Sequence, residues 1–138
     1  MDVNKIFDLF GDKYNEGDKK TINDVLIDFT RLPEYNARMF IKSFLNSEVL
    51  EKKMNKLLKN INVDESNIAE ISSHLVYNTA WKYLSELDLN QEYDILVIKN
   101  IKEKEFDMGL NKSMKYFEMM EEYEKCAFIC KIKNFREN

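Results

Sequence analysis

Apolar residues recur every three or four positions along most of the chain, which is the spacing of one face of an α-helix. This pattern predicts a helix over residues 3–10 and another from a cap at Thr21 to Leu32. Pro33 ends that helix and suits the first turn of the next one, because proline has no amide hydrogen to donate. Ser47 can cap a further helix, whose apolar stripe we expect to be buried. That stripe consists of Leu50, Met54, Leu57, Leu58 and Ile61.

The longest uninterrupted pattern predicts one helix from about residue 65 to residue 87. Asp64 is placed to cap its start, and Val63 and Ile68 are spaced for a hydrophobic staple around that cap. Three stripes of mostly apolar side chains cover much of its circumference. They are Ile68, Ile71, Leu75 and Thr79; Val76, Ala80, Tyr83, Leu84 and Leu87; and His74, Tyr77 and Trp81. We expect this helix at the centre of a bundle, since a helix apolar on all sides is usually surrounded by others.

Two shorter apolar runs, residues 93–101 and 126–133, fit either a helix or a strand, because periodicity alone does not distinguish the two. As strands they would pair in a small two-stranded sheet and give an α+β fold. We favour helices for both runs because turn-forming residues are missing around them.

Glycine and proline are scarce, with three glycines and one proline in 138 residues. An average chain has about 7% glycine and 5% proline. Because these residues build hairpins and tight turns, their scarcity favours helices. We therefore predict a single all-α domain over residues 1–138, a bundle of about six to eight helices, which is a size that one core can support. Gly109 marks the start of a C-terminal segment rich in methionine and aromatic side chains.

The net charge is −4, from 21 basic and 25 acidic residues whose signs are mixed along the chain. A nucleic-acid-binding protein typically has a clustered basic surface, so nucleic acid is not the favoured partner. Only three of the basic residues are arginine, and asparagine is abundant, which is typical of an AT-rich bacterial, phage or viral genome. No apolar run is long enough to cross a membrane, and we expect a cytoplasmic protein of a bacterium or of an infected host cell.

The sequence favours no enzyme and no bound cofactor or metal. Cys126, Cys130 and the single His74 are one ligand short of an ordinary zinc site. A thiolate pair of His74 with either cysteine is an alternative, but no glycine-rich turn supports it as an oxyanion site. The spacing of the three glycines also excludes two common phosphate-binding motifs, G-x-x-x-x-G-K and G-x-G-x-x-G.

Binding to another protein is the favoured function, with the partner blocked or bridged. Aromatic and methionine side chains occur on more helix faces than a core needs, and such side chains adapt well to partner surfaces. The candidate partner-binding residues are Tyr77, Trp81, Tyr116, Met119, Met120 and Tyr123. Core burial of the same residues stays open at this point. We expect a homodimer if the face with Tyr116, Met119 and Tyr123 is exposed.

A phage- or virus-encoded antagonist or an immunity-type protein fits this size and composition. The alternative function is a nucleic-acid-associated regulator that uses the lysines of a Lys52–Lys59 helix face.

Overall fold

The computed structural model describes residues 29–59, 61 and 64–137, and every regular element from Pro33 onward is a helix. The helices are α1 Pro33–Leu45, α2 Ser47–Leu58, α3 Glu65–Leu84, α4 Glu92–Asn100, α5 Lys104–Met119 and α6 Tyr123–Glu137. The predicted all-α bundle is confirmed. Residues 93–101 form most of α4 and residues 126–133 lie inside α6, so the alternative of a two-stranded sheet is wrong. The predicted helix at 3–10, the cap at Thr21 and the staple residue Val63 lie outside the described residues.

The chain divides between Leu32 and Pro33, and all six helices belong to the unit that runs from Pro33 to Asn138. In this unit α1 packs against α2, α3, α4 and α5, and α3 packs against α1, α2 and α5. The last helix, α6, packs against α4 and α5. The single-domain assignment for residues 1–138 stays a prediction.

The helices start at or near the residues that the sequence indicates, but the expected side-chain caps do not form. Pro33 is the first residue of α1, as its lack of an amide hydrogen predicts. Asp64 is the residue before α3, but its carboxylate accepts a hydrogen bond from Ser66 Oγ at 3.0 Å and caps no backbone amide. The residue before α2 is Asn46, so Ser47 lies inside the helix and the predicted Ser47 cap is wrong.

The core is built around aromatic rings from α1 and α5. Phe40 and Phe106 meet edge to face with their ring centres 5.4 Å apart. Gly109 lies inside α5, at the point where that helix approaches α1, so it does not begin a new segment. A Cβ atom at Gly109 would lie 2.9 Å from Phe40 Cε1 and from Phe44 Cε2. Glycine therefore allows the two helices to approach this closely.

Helix α2 departs from the prediction, because none of its residues is buried. Leu57 is 70% exposed and Ile61 beyond the helix is also exposed, while Leu50, Met54 and Leu58 are half-buried. The reason is its place at the edge of the bundle, where α2 packs only against α1 and α3. An apolar stripe is buried only where a neighbouring element covers it.

Arg136 near the end of α6 fixes the connection between α4 and α5. Its guanidinium donates to the carbonyl oxygens of Ile98 and Ile101 at 2.6 and 3.0 Å. It also donates to both carboxylate oxygens of Asp107 at 2.6 and 2.8 Å and lies over the ring of Phe106. Such charge-assisted, two-pronged hydrogen bonds are among the strong ones in proteins.

Candidate functional site

Helices α3 and α5 flank a groove of about 700 Å³ on the surface of the bundle. From α3 its lining residues are Ala69, Glu70, Ile71, Ser73, His74, Leu75 and Tyr77, and from α5 they are Lys112, Lys115, Tyr116, Met119 and Met120. A volume of this size is typical of ligand-binding clefts, which range over about 300–1,000 Å³.

Two stacked tyrosine rings join the walls of the groove. The rings of Tyr77 and Tyr116 are nearly parallel, with centres 4.3 Å apart. Phe44 of α1 supports Tyr77 from the side at 5.7 Å, and Phe117 meets the ring of Tyr116 at 5.3 Å. The stacked rings are therefore packed against other aromatic rings behind them.

A polar pair lies beside these rings. His74 Nδ1 and the Tyr116 hydroxyl oxygen are 2.7 Å apart, which is hydrogen-bond distance. Burial raises the pKa of Tyr116, and the nearby Glu122, Tyr77 and Glu70 raise it further. Burial also raises the pKa of Tyr77. Both phenols are therefore neutral at physiological pH and can take part in hydrogen bonds as neutral groups.

Several apolar side chains around these rings are exposed. Ile71 and Leu75 on α3 are 41% and 42% exposed, and Met119 and Met120 at the end of α5 are 72% and 46% exposed. The face of α3 with Ile71, Leu75 and Thr79 is therefore exposed, although a helix at the centre of a bundle is expected to be covered on all sides. The helices packed on α3 bury Ile68, Val76, Ala80 and Leu84 instead. A group of exposed apolar side chains lining one groove marks an interaction surface more often than scattered ones do.

Four of the six residues predicted from the sequence line this groove, namely Tyr77, Tyr116, Met119 and Met120. Trp81 does not line it. The indole is half-buried between Phe117 and Phe128, and Lys125 Nζ lies 5.4 Å from the centre of its ring. Tyr123 is exposed at the start of α6 and is also not among the lining residues.

Sequence reasoning missed Ile71, Leu75, Lys112 and Lys115 as parts of the groove. The two apolar residues lie on a stripe that looks like core, so no local signal separates them from buried residues. The two lysines are one turn apart on α5, between its aromatic and methionine residues. Neither lysine forms an ion pair with any residue that the structure describes.

Cys126 is one of the two thiols considered for a catalytic pair with His74. Burial raises the pKa of the Cys126 thiol, and the charges of Glu118 and Glu122 add to that shift. A nucleophilic cysteine needs the opposite change, since the thiolate is the reactive form. Cys130 is exposed, and both thiols are free. Among residues 29–59, 61 and 64–137 no group of three or more His, Cys, Asp or Glu side chains could hold a metal ion.

The lysines of the predicted Lys52–Lys59 face are not among the residues that line the groove. Lys52, Lys53, Lys56 and Lys59 are exposed along α2 and just beyond it. Within the described part of the chain, no helix has the length and apolar character required to cross a membrane.

Known proteins offer no analogy for this groove. No protein-family model matches the chain, and comparisons with curated proteins and with solved structures return no match.

Proposed function

We propose that this protein is a non-enzymatic binding protein that uses the groove between α3 and α5 to hold, and thereby block or bridge, another protein. The observation that carries the proposal is the exposure of Ile71, Leu75, Met119 and Met120 around the stacked rings of Tyr77 and Tyr116. Exposed apolar side chains do not stabilise a free protein, whereas burying them in an interface contributes about 25 cal/mol per Å².

The chemistry of the lining fits a protein surface. Methionine side chains are unbranched and polarizable, so Met119 and Met120 can adapt to the side chains of a partner. Half-buried Tyr77, stacked on the buried ring of Tyr116, provides aromatic area at the base of the groove. The groove thus combines an aromatic base with flexible methionine side chains at one end.

The lysine-rich, asparagine-rich composition supports a wider form of the proposal. It is that of an AT-rich genome, so a phage- or virus-encoded antagonist or an immunity-type protein, acting in the cytoplasm, fits this chain. That extension rests on composition, and the groove experiment does not depend on it.

The test is capture of the partner from the organism that encodes the chain, using the wild type and two groove variants, Leu75→Glu and Met119→Glu. Both positions are exposed, so we expect the variants to fold as well as the wild type, which urea unfolding checks. We expect the captured partner to fall at least tenfold for both, because a buried unpaired carboxylate opposes binding.

Leu57→Glu is the matched control. Leu57 is an exposed leucine on α2, outside the groove. This variant should capture as much partner as the wild type. Equal capture by all four proteins would contradict the proposal.

The alternative, a nucleic-acid-associated regulator, is favoured by one observation, the exposure of the four lysines on and beside α2. Filter binding to DNA and RNA at two salt concentrations tests it. A steeply salt-dependent affinity that falls in a Lys52→Glu, Lys56→Glu double variant would support this alternative, because each phosphate contact adds to the salt dependence.

A further inference from the structure

The charges along α5 change sign between two lysines that line the groove and two carboxylates that flank its methionines but are not among the lining residues. Lys112 and Lys115 line one part of the groove, and Glu118 and Glu121 immediately precede and follow the pair Met119 and Met120. Lys112 and Glu118 are six residues apart, which is about 9 Å along a helix. A partner lying along α5 therefore meets positive charge first and negative charge one or two turns later.

Among the residues that the structure describes, none of these four side chains takes part in an ion pair. The ion pairs within the described residues join Arg38 to Glu103, Lys125 to Glu122 and Arg136 to Asp107. All four side chains belong to exposed residues. They are therefore available to charges of a partner.

The two carboxylates occupy positions that do not favour the stability of α5. Glu118 lies in the last turn of that helix, where the helix dipole is negative and basic residues are preferred. Glu121 has a φ angle of 60°, in the left-handed region, although it is not glycine. Its backbone closes the helix end, with Glu121 N donating to Glu118 O and Glu122 N donating to Phe117 O. Glycine is the usual residue at this position of such a helix end.

We propose that the occupant of the groove is an amphipathic helix of the partner protein that runs parallel to α5, with an acidic N-terminal half beside Lys112 and Lys115 and a basic C-terminal half beside Glu118 and Glu121. Its apolar face covers Leu75, Met119 and Met120. Charge complementarity fixes this direction, and the same order of charges favours the partner helix itself, because acidic residues are preferred at helix N-termini and basic ones at C-termini. This inference rests on the proposed function, since it names the partner of the same groove.

The test uses two synthetic peptides of roughly 16 residues, or about four helical turns. Both have the same composition, net charge and leucine-rich face. The forward peptide has its glutamates in the N-terminal half and its lysines in the C-terminal half, and the reversed peptide has the opposite order. Binding is measured by calorimetry and by NMR of the methionine methyl groups, with half-buried Met114 as the internal reference.

We expect the wild type to bind the forward peptide about tenfold more tightly than the reversed one, since each exposed ion pair contributes about a factor of two. The methyl signals of Met119 and Met120 should shift and that of Met114 should not. A charge-swapped protein with Lys112→Glu, Lys115→Glu, Glu118→Lys and Glu121→Lys should prefer the reversed peptide. This swap separates the effect of the protein's charges from any difference in helicity between the peptides.

Several outcomes would overturn the inference. These are equal binding of both peptides, a preference that the charge swap leaves unchanged, and no methyl shift with either peptide. Methyl shifts with dodecanoate alone would assign the groove to a lipophilic anion. Concentration-dependent self-association that Met119→Glu abolishes would assign it to a second copy of the chain.

The capture experiment distinguishes failure of this inference from failure of the proposed function. If Met119→Glu loses the captured partner while the two peptides bind equally, only the inference about the partner helix is wrong. If Met119→Glu captures the partner as well as the wild type does, the groove is not the binding surface.

Discussion

The buried part of α5 and its C-terminal end differ in burial, in hydrogen bonding and in backbone conformation. Along most of the helix, Phe106, Gly109, Leu110 and Phe117 are buried against neighbouring helices, and Arg136 holds Asp107 through two hydrogen bonds. At the C-terminal end, two methionines are exposed beside the groove, followed by Glu121 in the left-handed region. The buried part of α5 therefore stabilises the fold, whereas the residues at its C-terminal end do not favour stability. The following predictions test that division.

Substitution of a ring in the buried part should have the largest effect. Phe117 has no exposed surface and contacts the rings of Trp81 and Tyr116, with Lys125 Nζ 4.9 Å from its centre. Phe117→Ala should reduce the free energy of unfolding by about 3–5 kcal/mol, because it leaves a cavity in the core. Met119→Ala, only two residues away, should change it by no more than about 0.5 kcal/mol. Urea unfolding measures both, and similar losses would contradict the division of α5.

Loss of the Arg136 guanidinium should have the next largest effect. Arg136→Met leaves the carbonyl oxygens of Ile98 and Ile101 without this donor and removes the partner of Asp107. We expect the free energy of unfolding to fall by about 2–3 kcal/mol, the usual contribution of hydrogen bonds to a charged group.

The controls for this prediction are Arg136→Lys and Lys131→Met. The lysine variant keeps the charge but lacks the planar guanidinium group. Its free energy of unfolding should therefore lie between those of the wild type and Arg136→Met. Lys131 is exposed on the same helix, so its removal should have no more effect than an ordinary surface substitution. An Arg136→Met protein as stable as the wild type would show that the contacts between α6 and the α4–α5 connection do not depend on this side chain.

The positions of the helices could be predicted from the sequence. Which neighbouring helices bury each apolar face could not be predicted. The periodicity of residues 65–87 and the missing turn residues around residues 93–101 and 126–133 were sufficient to identify α3, α4 and α6, because helix formation depends on local spacing. Only the end of α3 differs, at Leu84 and not at residue 87. The stripe of α2 looked like core because its spacing is the same as that of a buried face. Whether a stripe is buried depends on neighbours distant in the sequence. Arg136 illustrates this point, since its carbonyl partners lie 35 and 38 residues away.

Part of the candidate site was visible in the sequence for a specific reason. Tyr116, Met119 and Phe117 occupy more than one face of a single helix, so not all of them could be core. Ile71 and Leu75 gave no such signal, because they continue a stripe that begins with buried Ile68. An excess of apolar residues on a helix is visible in the sequence, but the identity of the exposed ones is determined by packing.

At the exposed end of α5, a substitution should increase stability. Glu121→Gly should raise the free energy of unfolding by about 1 kcal/mol, because a side chain costs about 1–2 kcal/mol in the left-handed conformation and part of that gain is offset by the more flexible unfolded chain. Glu118→Gly is the matched control. It lies inside α5, where glycine should lower stability by about 1 kcal/mol. Chemical denaturation of both variants checks the opposite signs, and a loss of stability in both would show that residue 121 is not strained.

The smallest predicted effect depends on pH and returns to the buried part of α5. Hydrogen bonds from Arg136 hold the pKa of Asp107 below its ordinary value, burial opposes that shift, and the charges of Arg136 and Lys133 add to it. Since the folded-state pKa is the lower one, this carboxylate contributes stability above its unfolded pKa of about 3.9. That contribution is lost as the pH falls through the folded-state value.

Asp107→Asn should therefore be less stable than the wild type at pH 7, and the difference should shrink below about pH 4. Urea unfolding of both proteins across this range measures it, with Glu105→Gln, an exposed carboxylate of the same helix turn, as the control. A difference that stays constant with pH would show that the Arg136–Asp107 contact acts through packing and not through the charge of the carboxylate.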